Sequence, residues 1–238
     1  MKIKLPLLAK HFLQLKKDKT YRDENQSVLI ESSKLIKELN EKKLVKNIIS
    51  SNPDLVPKDF PQDKLLIVSS TIIERITLLE KSEGILAEVE KPKYQSLKDK
   101  KRIIAFDGLQ DPGNLGTLLR SALAFGFDGA LLINNTCDPF NDKALRAARG
   151  ATFFLPIQQH HLEELTDFDV LIADLEGEQT EKINLKEKFI LVLGNEAHGP
   201  SKELIGTKVT LPMHNKVESL NVAVAGSILM YLLTSKSL

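Results

Sequence analysis

The sequence predicts an α/β protein in two parts, a small mixed unit followed by a larger domain on a mainly parallel sheet. Three observations carry this. From residue 102 to about 234, strand-length apolar runs alternate with helical stripes, the pattern of a parallel sheet covered on both faces. Roughly the first 90 residues mix strand and helix signals less regularly. Between them, KPKYQSLKDK (91–100) is polar and loop-like. It reads as a linker and divides the chain into domains at 1–97 and 98–238.

In the first part, residues 27–49 open with a strand-like run. They continue with Leu35, Ile36, Leu39, Leu44 and Ile48 at roughly helical spacing. The loop SNPDLVPKDFPQD follows, rich in proline. KLLIVSS (64–70) reads as a strand, STIIERITLLEKS as a helix and GILAEVE (84–90) as a strand. In the second part the strand candidates are RIIAF (102–106), GALLIN (129–134), FFLPI (153–157), DVLIADL (169–175), FILVLG (189–194) and KVTLP (208–212). A long helix is expected at about 219–234. In such sheets ligands sit beyond the carboxyl ends of the strands, in loops leading to helices.

Composition narrows the class. At 42% hydrophobic and 27% charged, the chain has the make-up of a soluble globular protein. No apolar run approaches the ~18 residues of a membrane span. The start, MKIKLPLLAKHFLQLKKDKTYR, lacks a small-residue cleavage site, so no secretory leader is expected. The lone Cys137 excludes a disulfide framework and Cys-rich zinc sites, fits a reducing cytoplasm, and reads as inert packing. No metal-ligand cluster is visible. Net charge is +1, but residues 1–97 carry 18 basic and 14 acidic groups, and residues 98–238 carry 15 and 18. The first 22 residues hold seven basic groups against one acid. A basic end on a neutral chain points to a polyanion or to a solvated helix face.

Three loops of the second part stand out. In DGLQDPGNLGTLLR (107–120), Asn114 is placed as a helix N-cap ahead of the stripe Leu115, Leu118, Leu119, Ala122 and Leu123. Arg120 falls roughly 130° from the centre of that stripe and points away from the sheet. The stretch is neither a GxxxxGK[ST] nor a GxGxxG turn. A capped helix with a surface arginine and the edge of an active site both fit it. LVLGNEAHGPSKEL (191–204) ends a strand at Gly194 and presents Glu196 and His198. LPMHNKVESLNVAVAGSILMYLL (211–233) leads through Ser219, Leu220 and Asn221 into a helix of small and apolar residues. Ser219 is placed as its N-cap.

Taken in order, DPGNLGTLLRSALAFGFDGALL, LVLGNEAHGPS and LPMHNKVESLNVAVAGSILMY closely resemble the three motifs of the SpoU (TrmH-like) RNA 2′-O-ribose methyltransferases of the SPOUT superfamily. The N-terminal part more loosely resembles that family's L30e-like RNA-binding domain. The resemblance implies an α/β domain with a deep C-terminal trefoil knot, S-adenosylmethionine (SAM) as methyl donor, an RNA substrate and a homodimer through the last helix. It places Gly194, Leu211, Met213 and Leu220 at the methyl donor. It assigns the activating role to Arg120, with Asn114, Glu196, Ser219 and Asn221 as the other polar site positions. Large-subunit ribosomal RNA is the expected substrate, with transfer RNA and a catalytically idle RNA-binding protein as alternatives. A dinucleotide oxidoreductase is disfavoured by the missing GxGxxG. Three positions depart from the family pattern: Ser32 and Ala197 stand at frequent glycines, and Ala148 at a frequent serine.

Overall fold

The computed structural model describes residues 5–77, 82–159, 166–214 and 218–235. The chain forms two compact units, Met1–Pro92 with Phe140–Arg146, and Lys93–Pro139 with Ala147–Leu238.

The first unit begins with α1 (Leu7–Lys17) and α2 (Lys19–Asn25). It continues through β1 (Ser27–Ile30), α3 (Ser33–Glu41), β2 (Val45–Ser50), β3 (Leu65–Ile67), α4 (Ser70–Thr77) and β4 (Ile85–Glu90). Its described strands are ordered β1-β4-β2-β3, with β2 and β3 parallel and the other pairs antiparallel. Ala9, Phe12 and Leu15 of α1 pack with Ile73 and Ile76 of α4 on Leu29, Ile49 and Leu86. Buried Glu88 is held by Asn47 Nδ2 at 2.6 Å and by His11 Nε2 at 3.2 Å. Burial raises its pKa, but hydrogen bonds from Asn47 and Ser27 and the charge of His11 outweigh that and lower it overall.

The helical spacing read across 35–48 breaks at α3's end. Lys43 takes the left-handed conformation at φ 58°, and the chain turns into β2. Leu44 and Ile48 therefore belong to a turn and a strand. The β-branched residues Val45, Ile48 and Ile49 were the signal for it. Ser32 sits at φ −162°, extended backbone that any residue adopts, so replacing a glycine there costs no strain.

The rest of the chain runs β5 (Arg102–Asp107), α5 (Pro112–Ala124), β6 (Gly129–Ile133), α6 (Asp142–Ala148), α7 (Ala151–Phe154), β7 (Ile157–Gln159), β8 (Asp169–Gln179), β9 (Phe189–Leu193), β10 (Thr207–Thr210) and α8 (Val222–Ser235), with α6 up to Arg146 belonging to the first unit and the remainder to the second. Its described strands make a six-stranded sheet, order β10-β8-β9-β5-β6-β7, with every pair parallel. Alternate residues of the strands feed two cores. Ile104, Phe106, Ala130, Leu132, Leu191 and Leu193 face α5 and α8. Ile103, Ala105, Leu131, Ile133, Ile190 and Val192 face the other side with Leu97 and Phe168. Ala148 is fully enclosed in the first core, where a hydroxyl would need a partner.

The strand expected at 153–157 is shorter and displaced. Gly150 at φ 98° starts one helical turn over 151–154, and Leu155 is forced extended by the following Pro156. The edge strand begins only at Ile157. The last helix starts three residues later than expected, at Val222. Gly226 brings it close to the sheet: a Cβ there would lie 2.4 Å from Leu193 Cδ1 and 2.7 Å from Leu118 Cδ2. Gly226→Val should therefore overpack the α5–α8 seam and destabilise by about 1–3 kcal/mol, read as a lower midpoint in thermal or urea unfolding.

Candidate active site

The strand order reverses between β5 and β9. From β5 the chain builds outward through β6 and β7, then crosses to fill the other side with β8, β9 and β10. Such a reversal opens a crevice at the carboxyl ends of the two strands. Asp107 ends β5, and Gly194 follows β9, so the loops singled out at 107–120 and 191–204 meet there.

The first loop enters α5 through Asp111, whose side chain accepts the Asn114 N–H at 2.9 Å, with Pro112 as the first helical residue. Asp111 is thus the N-cap expected of Asn114. Proline suits the first helical position because its missing N–H would be unpaired there anyway, and this moves Asn114 into the first turn. Its side chain is thereby free to point across the crevice. The second loop is closed by paired backbone hydrogen bonds between Asn195 and Gly199. Asn195 Oδ1 accepts the N–H groups of Ala197 and His198. Gly199 takes the left-handed corner at φ 71°, so Ala197 occupies a frequent glycine position without backbone strain.

Glu196 joins the two loops. Its carboxylate accepts the N–H of Gln110 at 3.1 Å, the N–H of Asp111 at 3.0 Å and Asn114 Nδ2 at 3.2 Å. Asn114 Oδ1 in turn accepts Asn221 Nδ2 at 3.2 Å. Asn221 Oδ1 accepts the N–H groups of Ala223 and Val224. Asn221, rather than Ser219, therefore caps α8, because only it lies directly before the first turn. The carboxylate fixes the direction of every bond in this chain. It can only accept, so Asn114 must present its amide N–H₂ to Glu196 and its oxygen to Asn221.

Burial raises the Glu196 pKa, but the backbone N–H groups of Asp111 and Gln110 and the Asn114 amide lower it further, for a net depression. Burial, and then the charges of Glu196, Asp111 and Asp138, push the Cys137 thiol up to about 12. It stays protonated at neutral pH. Among the described residues no group of His, Cys, Asp and Glu is arranged to hold a metal ion.

Beside the chain of hydrogen bonds lies a cavity of about 890 Å³. Gly194, Leu211, Met213 and Leu220 line it, and Glu196, Ser219 and Asn221 form part of its wall. Asn114 and Arg120 are not among its lining residues. Arg120 is exposed on α5, on the side away from buried Leu115, Leu118, Leu119 and Ala122. It makes no hydrogen bond or ion pair with the described residues. Sequence reasoning missed Asp107, Asn134 and Ser201, which cluster at the same strand ends around the buried Asp107 carboxylate, with Ser201 half-buried and Asn134 exposed. An acid closing the apolar run RIIAFD was the available signal.

This fold is that of a known class. Residues 101–231 match the SpoU rRNA Methylase family model, and the chain belongs to that family. It is 33% identical over 231 residues to the 23S rRNA (guanosine(2553)-2′-O)-methyltransferase RlmP of Bacillus subtilis, a match covering 92% of each chain. An AdoMet-bound rRNA methyltransferase from Sinorhizobium meliloti superimposes with a TM-score of 0.86 at 26% identity, over 100% of this chain and 98% of the other. The SpoU methyltransferase AviRb from Streptomyces viridochromogenes shares the fold, with a TM-score of 0.85 at 20% identity, covering 98% of each chain.

Because the folded-state pKa of Glu196 is depressed, its bonds contribute stability above the ordinary glutamate range. That contribution is lost as pH falls through the lowered value. The Gln110 and Asp111 amides should be strongly protected at neutral pH, relative to their intrinsic exchange rates, and lose that protection only in acid. In Glu196→Gln the protection should be weak already at pH 7, because a carboxamide cannot accept from both amides and Asn114. Hydrogen exchange followed residue by residue reads this directly.

Proposed function

We propose that this protein transfers a methyl group from SAM to a ribose 2′-hydroxyl of ribosomal RNA, in the large-subunit 23S class. The observation that carries the reading is the convergence of Asn114, Glu196 and Asn221, from three separate loops, in one directed chain beside the cavity.

The cavity suits the cofactor. Its volume lies within the roughly 300–1,000 Å³ of small-molecule sites. Leu211, Met213 and Leu220 offer an apolar bed for an adenine ring, beside the wall formed by the 194–200 loop. SAM supplies an electrophilic sulfonium methyl. The protein's task is to bring a hydroxyl in line with it and ease loss of the hydroxyl proton.

Arg120 is a poor base, since a guanidinium offers donors only and keeps its proton in proteins. Free of partners among the described residues and standing outside the cavity wall, it is available to a phosphate of the incoming RNA. From there its charge lowers the pKa of the neighbouring 2′-hydroxyl. Glu196, Asn114 and Asn221 are tied to one another and hold α5, and so Arg120, against α8. Ser219 on the cavity wall faces the cofactor or ribose.

The remaining architecture follows the same reading. Residues 1–97 act as an L30e-like domain that grips folded RNA through shape and phosphate contacts, and residues 98–238 carry the methyl transfer. The C-terminal part forms a deep trefoil knot. Supporting it, β10 pairs first with Leu171 and Ile172 and then, after a register shift, with Glu178 and Gln179. Gly177 lets the two backbones come close, for a Cβ there would lie 2.6 Å from the Val209 N. The protein works in the cytoplasm, where ribosomal RNA is modified; no helix among the described residues is long and apolar enough to cross a membrane. Two copies pair through α8, whose outer face leaves Val224 48%, Ile228 40% and Tyr231 55% exposed.

Mapping 2′-O-methyl groups in ribosomal and transfer RNA from cells with and without the protein tests the central claim; the loss of no such site would refute it. Arg120→Ala should cut methyl incorporation into RNA by at least about a hundredfold, on the scale of removing a transition-state electrostatic contact. Its SAM affinity, measured calorimetrically, should stay close to wild type. Ile228→Glu with Tyr231→Glu should shift the protein from dimer to monomer in sedimentation velocity, because paired charges cannot be buried against their symmetry copies.

A further inference from the structure

Asp107 is a charged side chain that the reaction as described does not use. It closes β5 and is only 2% exposed. Burying a carboxylate costs several kcal/mol unless donors surround it. No Lys or Arg among the described residues pairs with it. Three neutral donors do the work instead. Its Oδ2 accepts the backbone N–H of Ser201 at 2.6 Å. Its Oδ1 accepts Ser201 Oγ at 3.0 Å and Asn134 Nδ2 at 2.7 Å. Asn134 Nδ2 also reaches Ser201 Oγ at 3.1 Å. The carboxylate thus binds the end of β5 to the loops after β6 and β9.

Ser201 and its neighbour Pro200 line the cavity. Pro200 is also pressed against the end of β9: a Cβ on Gly194 would lie 2.1 Å from its nitrogen. The position of the 200–201 segment therefore sets the shape of the cavity wall, and Asp107 is what pulls that segment inward. Both carboxylate oxygens accept, but the bond from the Ser201 N–H is the one that holds the backbone of that segment.

We infer that Asp107 is a positioning residue for the methyl donor. Through Ser201 it holds the 194–201 wall of the cavity in its binding shape, a role separate from that of Glu196, which holds the α5 side. The inference rests on the reading of the cavity as the SAM site.

Calorimetric SAM titration of the full chain separates the possibilities. Asp107→Ala leaves the Ser201 N–H without its acceptor and should weaken SAM binding at least about tenfold, the scale of one buried charge-assisted hydrogen bond. Asp107→Asn can still offer one oxygen to that N–H and should recover most of the affinity, to within about threefold of wild type. Ser201→Ala keeps the backbone bond and should cost about threefold. Adding Ser201→Ala to Asp107→Ala should cost nothing more, since the partner is already gone.

A wild-type protein that binds SAM while Asp107→Ala binds within twofold of it overturns the inference. So does strict additivity of the two substitutions, or an Asp107→Asn no better than Asp107→Ala. If Asp107→Ala does not fold, Ser201→Ala and Asn134→Ala carry the test, and wild-type affinity in both overturns it. A wild-type protein that fails to bind SAM instead refutes the cofactor reading on which the inference stands.

Discussion

Where the order of a parallel sheet reverses, neighbouring strands send their chains to opposite sides, and the backbone groups at their carboxyl ends lose a continuous partner. Something must bridge that gap. In this protein the bridging is done by two carboxylates, one from each side of the reversal. Asp107, buried at the end of β5, gathers the loops after β6 and β9. Glu196, more exposed and just past β9, gathers the loop that starts α5. These acceptors tie the cavity wall at 194–201 to the end of β5 and to the start of α5. Carboxylates fit the task because they accept from several N–H groups at once and never compete as donors.

The packing beneath reinforces the same geometry. α5 and α8 lie against one face of the sheet, joined by a hydrogen bond between Ser121 and Ser227 at 2.8 Å and brought close by Gly226. Because Asn114 stands on α5 and Asn221 caps α8, the chain from Glu196 through Asn114 to Asn221 ties the helix starts to the loop after β9. The site is thus held by hydrogen bonds at the crevice and by apolar burial below it. Neither alone would fix Arg120, which has no tether of its own among the described residues.

Much of this was legible in the chain itself. Apolar runs such as RIIAF and FILVLG mark buried parallel strands because both faces of such strands are covered, and β5 and β9 appear where those runs lie. Glu196 and Asn221 were legible through the resemblance of their loops, in order, to the SpoU motifs, since each loop taken alone fits a simple helix cap as well. Pattern failed where a local conformation overrode it. Lys43 in the left-handed region converted an apparent helix into β2, and Pro156 delayed β7. Caps were misplaced by a few residues, since Asp111 with Pro112 competes with Asn114, and Asn221 with Ser219. The Asp107 cluster was invisible for a different reason. Its partners lie 27 and 94 positions away, and no spacing rule joins residues brought together only by sheet order.

The high pKa of Cys137 has a bearing on chemical selectivity. A sulfonium methyl alkylates thiolates more readily than alcohols, and Cys137 lies close enough to Glu196 and Asp111 to feel their charge. With its pKa near 12, only roughly one thiol in 100,000 is ionised at neutral pH. Burial, and after it the charge of the acidic loops that arrange the crevice, therefore keep the chain's lone sulfhydryl protonated and a poor rival for the methyl group.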